Sequence, residues 1–420
     1  MRFIGMNMKG IIMVIAWLCV LPCDAQKICG TWSGTLEVGL QKLGIVFHLS
    51  QGDKGEDICK LDSPDQGTKD IVAVVNYLSV DSINVNVPVI GMTYVGKLQE
   101  DTIRGMFTQN GIRLPLELSA GVKKRNRPQT PVAPYPYKTE DVTFENVAAN
   151  ATLAGTLSYP VGYAEGKKVP VVLLVTGSGK QNRDEELFDH KPFLVIADYF
   201  ARHGIATLRY DDRGFGASTG DSKNSTTRDN AEDARAGIDF LRQRGLFSKV
   251  GVLGHSEGAS VAFMLGATDM IDFVISMAGI GVKGDTALTA QVNRIAELMG
   301  HPTRIINTEQ YRVNAALMGN HWLWFFVDYD PCPDISATRC PVMALNGSDD
   351  VQVISSLNLS GIRRSLPSND MNVVMEYPGL NHLFQSCTTG LIDEYADIEE
   401  TISPIVLKDM TDWIWQVAKE

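Results

Sequence analysis

The chain has 420 residues, 44% of them hydrophobic and 21% charged, which supplies apolar surface for two folded units and excludes a disordered chain. Its formal net charge of −11 argues against nucleic acid as a partner, because a phosphate backbone selects a basic surface.

At the N-terminus, basic Arg2 and Lys9 precede an apolar run over 11–21 and then Pro22, Cys23, Asp24, Ala25 and Gln26, the layout of a secretory signal peptide over 1–26. Export to the periplasm or beyond is expected. The run is shorter than the roughly 20 residues that span a bilayer, so no membrane span is expected. Cys23 offers the alternative of a lipid anchor, against which Pro22 argues. The leader contributes +1 from Arg2 and Lys9 against Asp24, so its removal leaves −12. Five cysteines then remain, and Cys29 with Cys59 or Cys332 with Cys340 are the pairs an exported chain would permit.

Residues 27–120 alternate in polarity over short segments (45–49, 83–87, 93–97, 114–118) separated by Gly, Asp and Asn turns, which predicts an antiparallel β module. Residues 121–137 hold four prolines among polar residues and read as an extended, semi-rigid linker. From 138 to 420 strands alternate with helices: strands at 171–175, 206–210, 250–254 and 273–277, helices near 193–203 and 229–244. That order predicts a mainly parallel sheet covered on both faces. Between about 282 and 334 helical patterns replace it, which predicts an inserted cap. Its run His-Trp-Leu-Trp-Phe-Phe at 321–326 is either cap core or a substrate wall, and Trp322, Trp324 and Phe325 are the candidate pocket residues.

The most informative stretch is Gly-His-Ser-Glu-Gly at 254–258, preceded by an apolar strand and followed by apolar residues at helical spacing. A strand that turns sharply into a helix forces its central residue into strained geometry, and a glycine two positions away on each side gives it room. Ser256 is thus the candidate nucleophile. A serine hydroxyl needs a base and a group that orients the base. His382 is the best-placed base, on a Pro-Gly loop after a predicted strand at 373–377, whereas His255 beside the serine reads as a loop brace. For the acid, Asp350 is preferred to Asp349, because it stands three residues after Gly347, which turns a strand end, while Val353 returns to the core. The order Ser256, Asp350, His382 is that of an α/β-hydrolase. Backbone N–H groups of Ser178, with Gly179 as alternative, and of Glu257 are the expected oxyanion donors. The glycines at 177 and 179 lack the Lys-Ser/Thr of a phosphate loop. Two charged clusters, 181–191 and 209–216, read as loop braces; the functional alternative is a substrate ammonium held by Asp184, Glu185 or Glu186.

Taken together, Thr-Gly-Ser-Gly at 176–179, Arg-Asp-Glu at 183–185, His-Lys-Pro-Phe at 190–193, Arg-Tyr-Asp-Asp-Arg-Gly at 209–214, the Ser256 turn, the 346–353 segment and Asn381-His382 resemble the exported bacterial α/β-hydrolases of the serine aminopeptidase-like group, particularly EstD-type carboxylesterases. The start at 30–34 and the segments 63–67 and 128–131 are similar to that group's N-terminal module. The resemblance implies an α/β-hydrolase fold with an N-terminal β module. It also implies a carboxylesterase acting on short acyl esters through Ser256, His382 and Asp350, with no metal or cofactor. Members commonly carry a second glycine where this chain has Ala259, and a different helix start over 260–263, which bears on the acyl pocket. The expected substrate is a small-molecule or saccharide-linked acyl ester. A peptidase or acyltransferase on the same triad, and a binding protein that retains only the hydrolase shape, are the alternatives.

Overall fold

The computed structural model describes residues 28–38, 41–66, 68–122, 125–318 and 320–419, with nothing said of the side chains of residues 41 and 302. The predicted leader and Cys23 lie outside the described residues. No helix among the described residues is long and apolar enough to cross a membrane. The described cysteines, Cys29, Cys59, Cys332, Cys340 and Cys387, are all free, so neither permitted disulfide is present.

Strands β1 (Gly30–Val38), β2 (Gln41–Gln51), β3 (Asp57–Ser63), β4 (Thr68–Leu78), β5 (Ser82–Val87), β6 (Met92–Gln99), β7 (Thr102–Gln109) and β8 (Ile112–Ala120) follow one another antiparallel. Pairing of Trp32 with Ala120 and Ser33 with Ser119 closes them into a barrel. Alternation puts Phe47, Leu61, Ile83, Val85, Tyr94, Ile103 and Leu118 inside, where they are buried. Tyr94 stacks on Phe47 at 5.3 Å, and its hydroxyl donates to the carbonyls of Ile103 and Leu116, so the one polar atom of that ring is satisfied. The ring lies over Gly105, where an added Cβ would come within 2.6 Å of it.

The chain then crosses to a second body. The proline-rich crossing is stitched down: the Arg127 guanidinium donates to the carbonyls of Phe188, Ala396 and Ile398, and the Gln129 carboxamide bonds the Ile402 carbonyl and the Thr401 amide.

The second body is an eight-stranded sheet of β9 (Thr139–Asn146), β10 (Ala151–Ser158), β11 (Val169–Val175), β12 (Ala206–Tyr210), β13 (Phe247–His255), β14 (Phe273–Met277), β15 (Val342–Gly347) and β16 (Val373–Tyr377), in the order β16-β15-β14-β13-β11-β12-β10-β9. β10 runs antiparallel to both its neighbours, β9 and β12, and every other pairing in the sheet is parallel. Helices α1 (Pro192–Arg202), α2 (Thr227–Arg244), α3 (Glu257–Gly266), α8 (Ser355–Ser365) and α9 (Pro404–Val417) cover its two faces. Both faces are therefore dry: Val171, Leu173 and Val175 point into one core cluster, while Val172 and Leu174 point into the other. Between β14 and β15 lies the cap of α4 (Gly284–Leu298), α5 (Thr308–Leu317), α6 (His321–Asp328) and α7 (Cys332–Ala337).

Candidate active site

β13 breaks at Ser256, which adopts φ 54° and ψ −115° before α3 begins at Glu257. The flanking glycines are sterically required. A Cβ on Gly254 would sit 1.9 Å from the Gly258 carbonyl oxygen, and one on Gly258 would sit 2.2 Å from the Val175 carbonyl oxygen. The Ser256 amide donates to the Met277 carbonyl at 2.8 Å, which fixes the turn against β14. A left-handed serine costs on the order of 1–3 kcal/mol and lifts its hydroxyl above the sheet edge.

His382 lies on the loop after β16 and is buried. Its Nδ1 is 2.7 Å from Asp350 Oδ2. The other Asp350 oxygen accepts the amides of Gln352 and Val353, both at 2.8 Å, so the carboxylate has one orientation. Asp349 makes no such contact: its carboxylate meets the Ser348 hydroxyl at 3.5 Å and the Cys387 thiol at 4.0 Å. The loop bearing His382 is held from within by the Asn381 carboxamide, which accepts the amides of Leu383 and Gln385. Gln385 in turn contacts His190, whose ring burial pushes down to about 4, leaving it neutral.

A second histidine ties these parts together. His255 Nδ1 lies 2.9 Å from Glu185 Oε1 and Nε2 lies 3.0 Å from the His382 carbonyl oxygen. Both partners are acceptors, an arrangement that favours the doubly protonated ring. Burial pushes its pKa down, but the Glu185 carboxylate, with help from Asp350, outweighs burial and holds it above 6.5. The same Glu185 oxygen accepts the Gly177 amide at 2.9 Å. One carboxylate therefore fixes the loop after β11, the residue before Ser256 and the loop carrying His382.

Because the folded pKa of His255 is raised, its contribution to stability is complete below about 6.5 and is lost as pH rises through the folded value. Thermal unfolding of the wild type should drop on that alkaline side, and His255→Ala should remove this dependence. The same variant is expected to lower kcat by about 10²-fold with a smaller change in KM, since it displaces His382 rather than substrate. A flat effect on kcat would contradict the bracing role.

Ser256 and His382 open on one cleft of about 440 Å³, whose lining includes Gly177, Ser178, Gly179, Lys180, Gln181, Phe215, Gln352 and Leu383. The amides of Ser178 and Glu257 make no hydrogen bond among the described residues, whereas that of Gly177 is taken by Glu185. An added Cβ on Gly177 would reach the Ser256 Cβ at 3.3 Å, which brings this loop's backbone against the serine. Asp212 shapes the loop by accepting the Thr176 hydroxyl at 3.0 Å and the Gln181 amide at 2.8 Å; desolvation pushes its carboxyl up to about 8.

The aromatic residues of α6 are not part of this lining. Spacing of i, i+4 pairs Trp322 with Phe326 and Phe325 with Tyr329, so these rings stack along the helix and pack with Ile280, Ala287 and Val353 where the cap meets the sheet body, and the Trp324 indole donates to the Ala315 carbonyl while the residue is 46% exposed. Trp322 faces the buried Glu257 carboxyl. The acidic cluster is already partnered: Asp184 by Arg209 and Lys191, Glu185 by His255, Glu186 by Lys69 and Lys191. Cleft residues that sequence reasoning missed are Gln352, two positions after Asp350 and therefore findable, and Gln66, which arrives from the barrel and stood in the 63–67 segment without any sign of a place in the cleft.

Residues 191–313 match the family Hydrolase_4, described as serine aminopeptidase, S33, a span that includes Ser256 and ends before Asp350 and His382. Esterase EstD of Thermotoga maritima is 28% identical over 180 residues, 43% of this chain and 39% of EstD, so the chain spans about two fifths of the length of that curated relative. Among solved structures, the α/β hydrolase GrgF from Penicillium sp. sh18 matches with a TM-score of 0.47 at 17% identity, covering 67% of this chain and 100% of GrgF. Est1E from Butyrivibrio proteoclasticus, bound to ferulic acid, matches with a TM-score of 0.46 at 16% identity, covering 66% of this chain and 100% of Est1E.

Proposed function

We propose that this chain, an α/β-hydrolase similar to the serine aminopeptidase-like group, is a serine carboxylesterase that cleaves acyl esters through an acyl-enzyme on Ser256. The observation that carries the reading is the 2.7 Å contact of Asp350 with His382 Nδ1, which leaves Nε2 as the ring nitrogen available to a serine on the same cleft. In this mechanism His382 takes the Ser256 proton as the oxygen attacks the ester carbonyl. The Ser178 and Glu257 amides hold the oxyanion, and the protonated ring then gives its proton to the departing alcohol. Water, activated by the same ring, releases the acid.

Two alternatives lose support. An aminopeptidase needs a carboxylate for the substrate ammonium, and Asp184, Glu185 and Glu186 all have cationic partners. An acyltransferase needs a water-poor cleft, and the aromatic residues of the cap do not line this one, whose walls carry Lys180, Gln181 and Gln352. The test compares p-nitrophenyl acetate with an aminoacyl p-nitroanilide. The ester should turn over faster by at least about 10²-fold in kcat/KM, equivalent to some 2.7 kcal/mol of barrier. Faster turnover of the anilide would reject the esterase reading.

A further inference from the structure

We propose that the barrel completes a leaving-group subsite for a polyhydroxylated alcohol, such as a sugar, with Gln66 as a specificity-determining hydrogen-bond donor; this rests on the esterase reading. Gln66 ends the short 3₁₀ turn Pro64–Gln66 between β3 and β4, and is a barrel residue that lines the cleft holding Ser256 and His382.

The turn is docked rather than merely adjacent. Buried Asp65 accepts the Gly44 amide and the Arg125 guanidinium at 2.6 Å, and Arg125 reaches on to Asp189 at 3.3 Å. Three positions on from Gln66, Lys69 bonds Glu186 at 3.2 Å. Within the turn, the Gln66 side-chain Oε1 accepts the Ser63 hydroxyl at 2.8 Å, which orients the carboxamide and leaves its NH₂ without a partner among the described residues.

The rest of the lining has matching chemistry. Gln181 donates to the Ser178 carbonyl and Gln352 donates toward the Tyr395 hydroxyl, so each has a carbonyl oxygen without a partner among the described residues. Lys180 has no ion pair among the described residues. Donors and acceptors set side by side suit hydroxyl groups, which are both at once. The apolar lining is limited to Leu187, Phe215 and Leu383, enough for a short acyl group and one face of a sugar ring but not for a long alkyl chain.

The test uses two acetates of primary alcohols on six-membered rings, methyl 6-O-acetylglucopyranoside and cyclohexylmethyl acetate. The wild-type chain should favour the glycoside by about tenfold or more in kcat/KM, as expected from two or more neutral hydrogen bonds. Gln66→Ala and the near-isosteric Gln66→Leu, both checked for unchanged thermal unfolding, should each reduce that preference about fivefold, through KM rather than kcat. Equal turnover of the two esters by the wild type, or equal losses on both in the Gln66 variants, would overturn the subsite while leaving the esterase intact. Preference for an N-blocked dipeptide methyl ester over the glycoside would assign these donors to a peptide backbone and likewise overturn it. Failure of either ester to react, with Ser256 refractory to a phosphonate, would remove the esterase reading and the subsite with it.

Discussion

Ser256→Ala is expected to lower kcat/KM for p-nitrophenyl acetate by about 10⁴- to 10⁶-fold, while the unfolding free energy changes by less than about 1 kcal/mol. On the proposed mechanism the loss is large because the attacking oxygen itself is removed, leaving His382 and the cleft amides with no nucleophile to act on. The fold is indifferent because the turn is fixed by backbone: the Ser256 amide on the Met277 carbonyl, and glycines at 254 and 258 that admit no Cβ. A related comparison separates chemistry from strain. Ser256→Gly, equally inactive, relieves the left-handed φ of 54° and should be more stable than Ser256→Ala by about 1 kcal/mol. Paired activity assays and chemical denaturation measure both. Residual turnover above a few per cent of wild type in either variant would mean that the nucleophile is elsewhere.

Asp350→Asn is expected to lower kcat by about 10³- to 10⁴-fold, against less than about threefold for Asp349→Asn. The two aspartates are sequence neighbours, but only one has the geometry. Asp350 is buried, receives two amides on one oxygen and meets His382 Nδ1 at 2.7 Å with the other. An asparagine there would present either an NH₂, which repels the Nδ1 proton, or an oxygen without charge, so the ring loses the group that selects its tautomer and supports its protonated form. Among the described residues the Asp349 carboxylate meets the Ser348 hydroxyl and the Cys387 thiol, both at long range, and its loss leaves His382 with its partner. Equal losses at both positions would undo the assignment of the acid.

How far the sequence discloses this arrangement depends on how local each signal is. The Ser256 turn was legible because its two glycines are a steric demand written within five residues. His382 and Asp350 were legible because each follows an apolar strand at a turn that a buried sheet edge imposes. The antiparallel pair β9 and β10 was not, since its strands alternate polar residues at the edge of the sheet and lack the unbroken apolar run of β11. Antiparallel pairing was expected over 27–120, but barrel closure was not, because it depends on a β1 to β8 register some 88 residues apart at Trp32 and Ala120. The aromatic run of α6 marked a dense apolar segment correctly, but not which way the helix would turn it; the i, i+4 pairs pack between the cap and the sheet body. The place of Gln66 in the cleft was not legible for a different reason: it is set by how Asp65, Arg125 and Asp189 dock one body against the other, and no pattern within either body encodes that.

The central claim, that Ser256 is a nucleophile activated by His382, is tested most directly by treating the folded wild-type chain with a fluorophosphonate and locating the adduct by peptide mass spectrometry. The expected result is one phosphonyl group per chain, on the peptide carrying Ser256, with labelling slowed by orders of magnitude in His382→Ala. A folded chain that stays unlabelled, or carries its label on another residue, would contradict it.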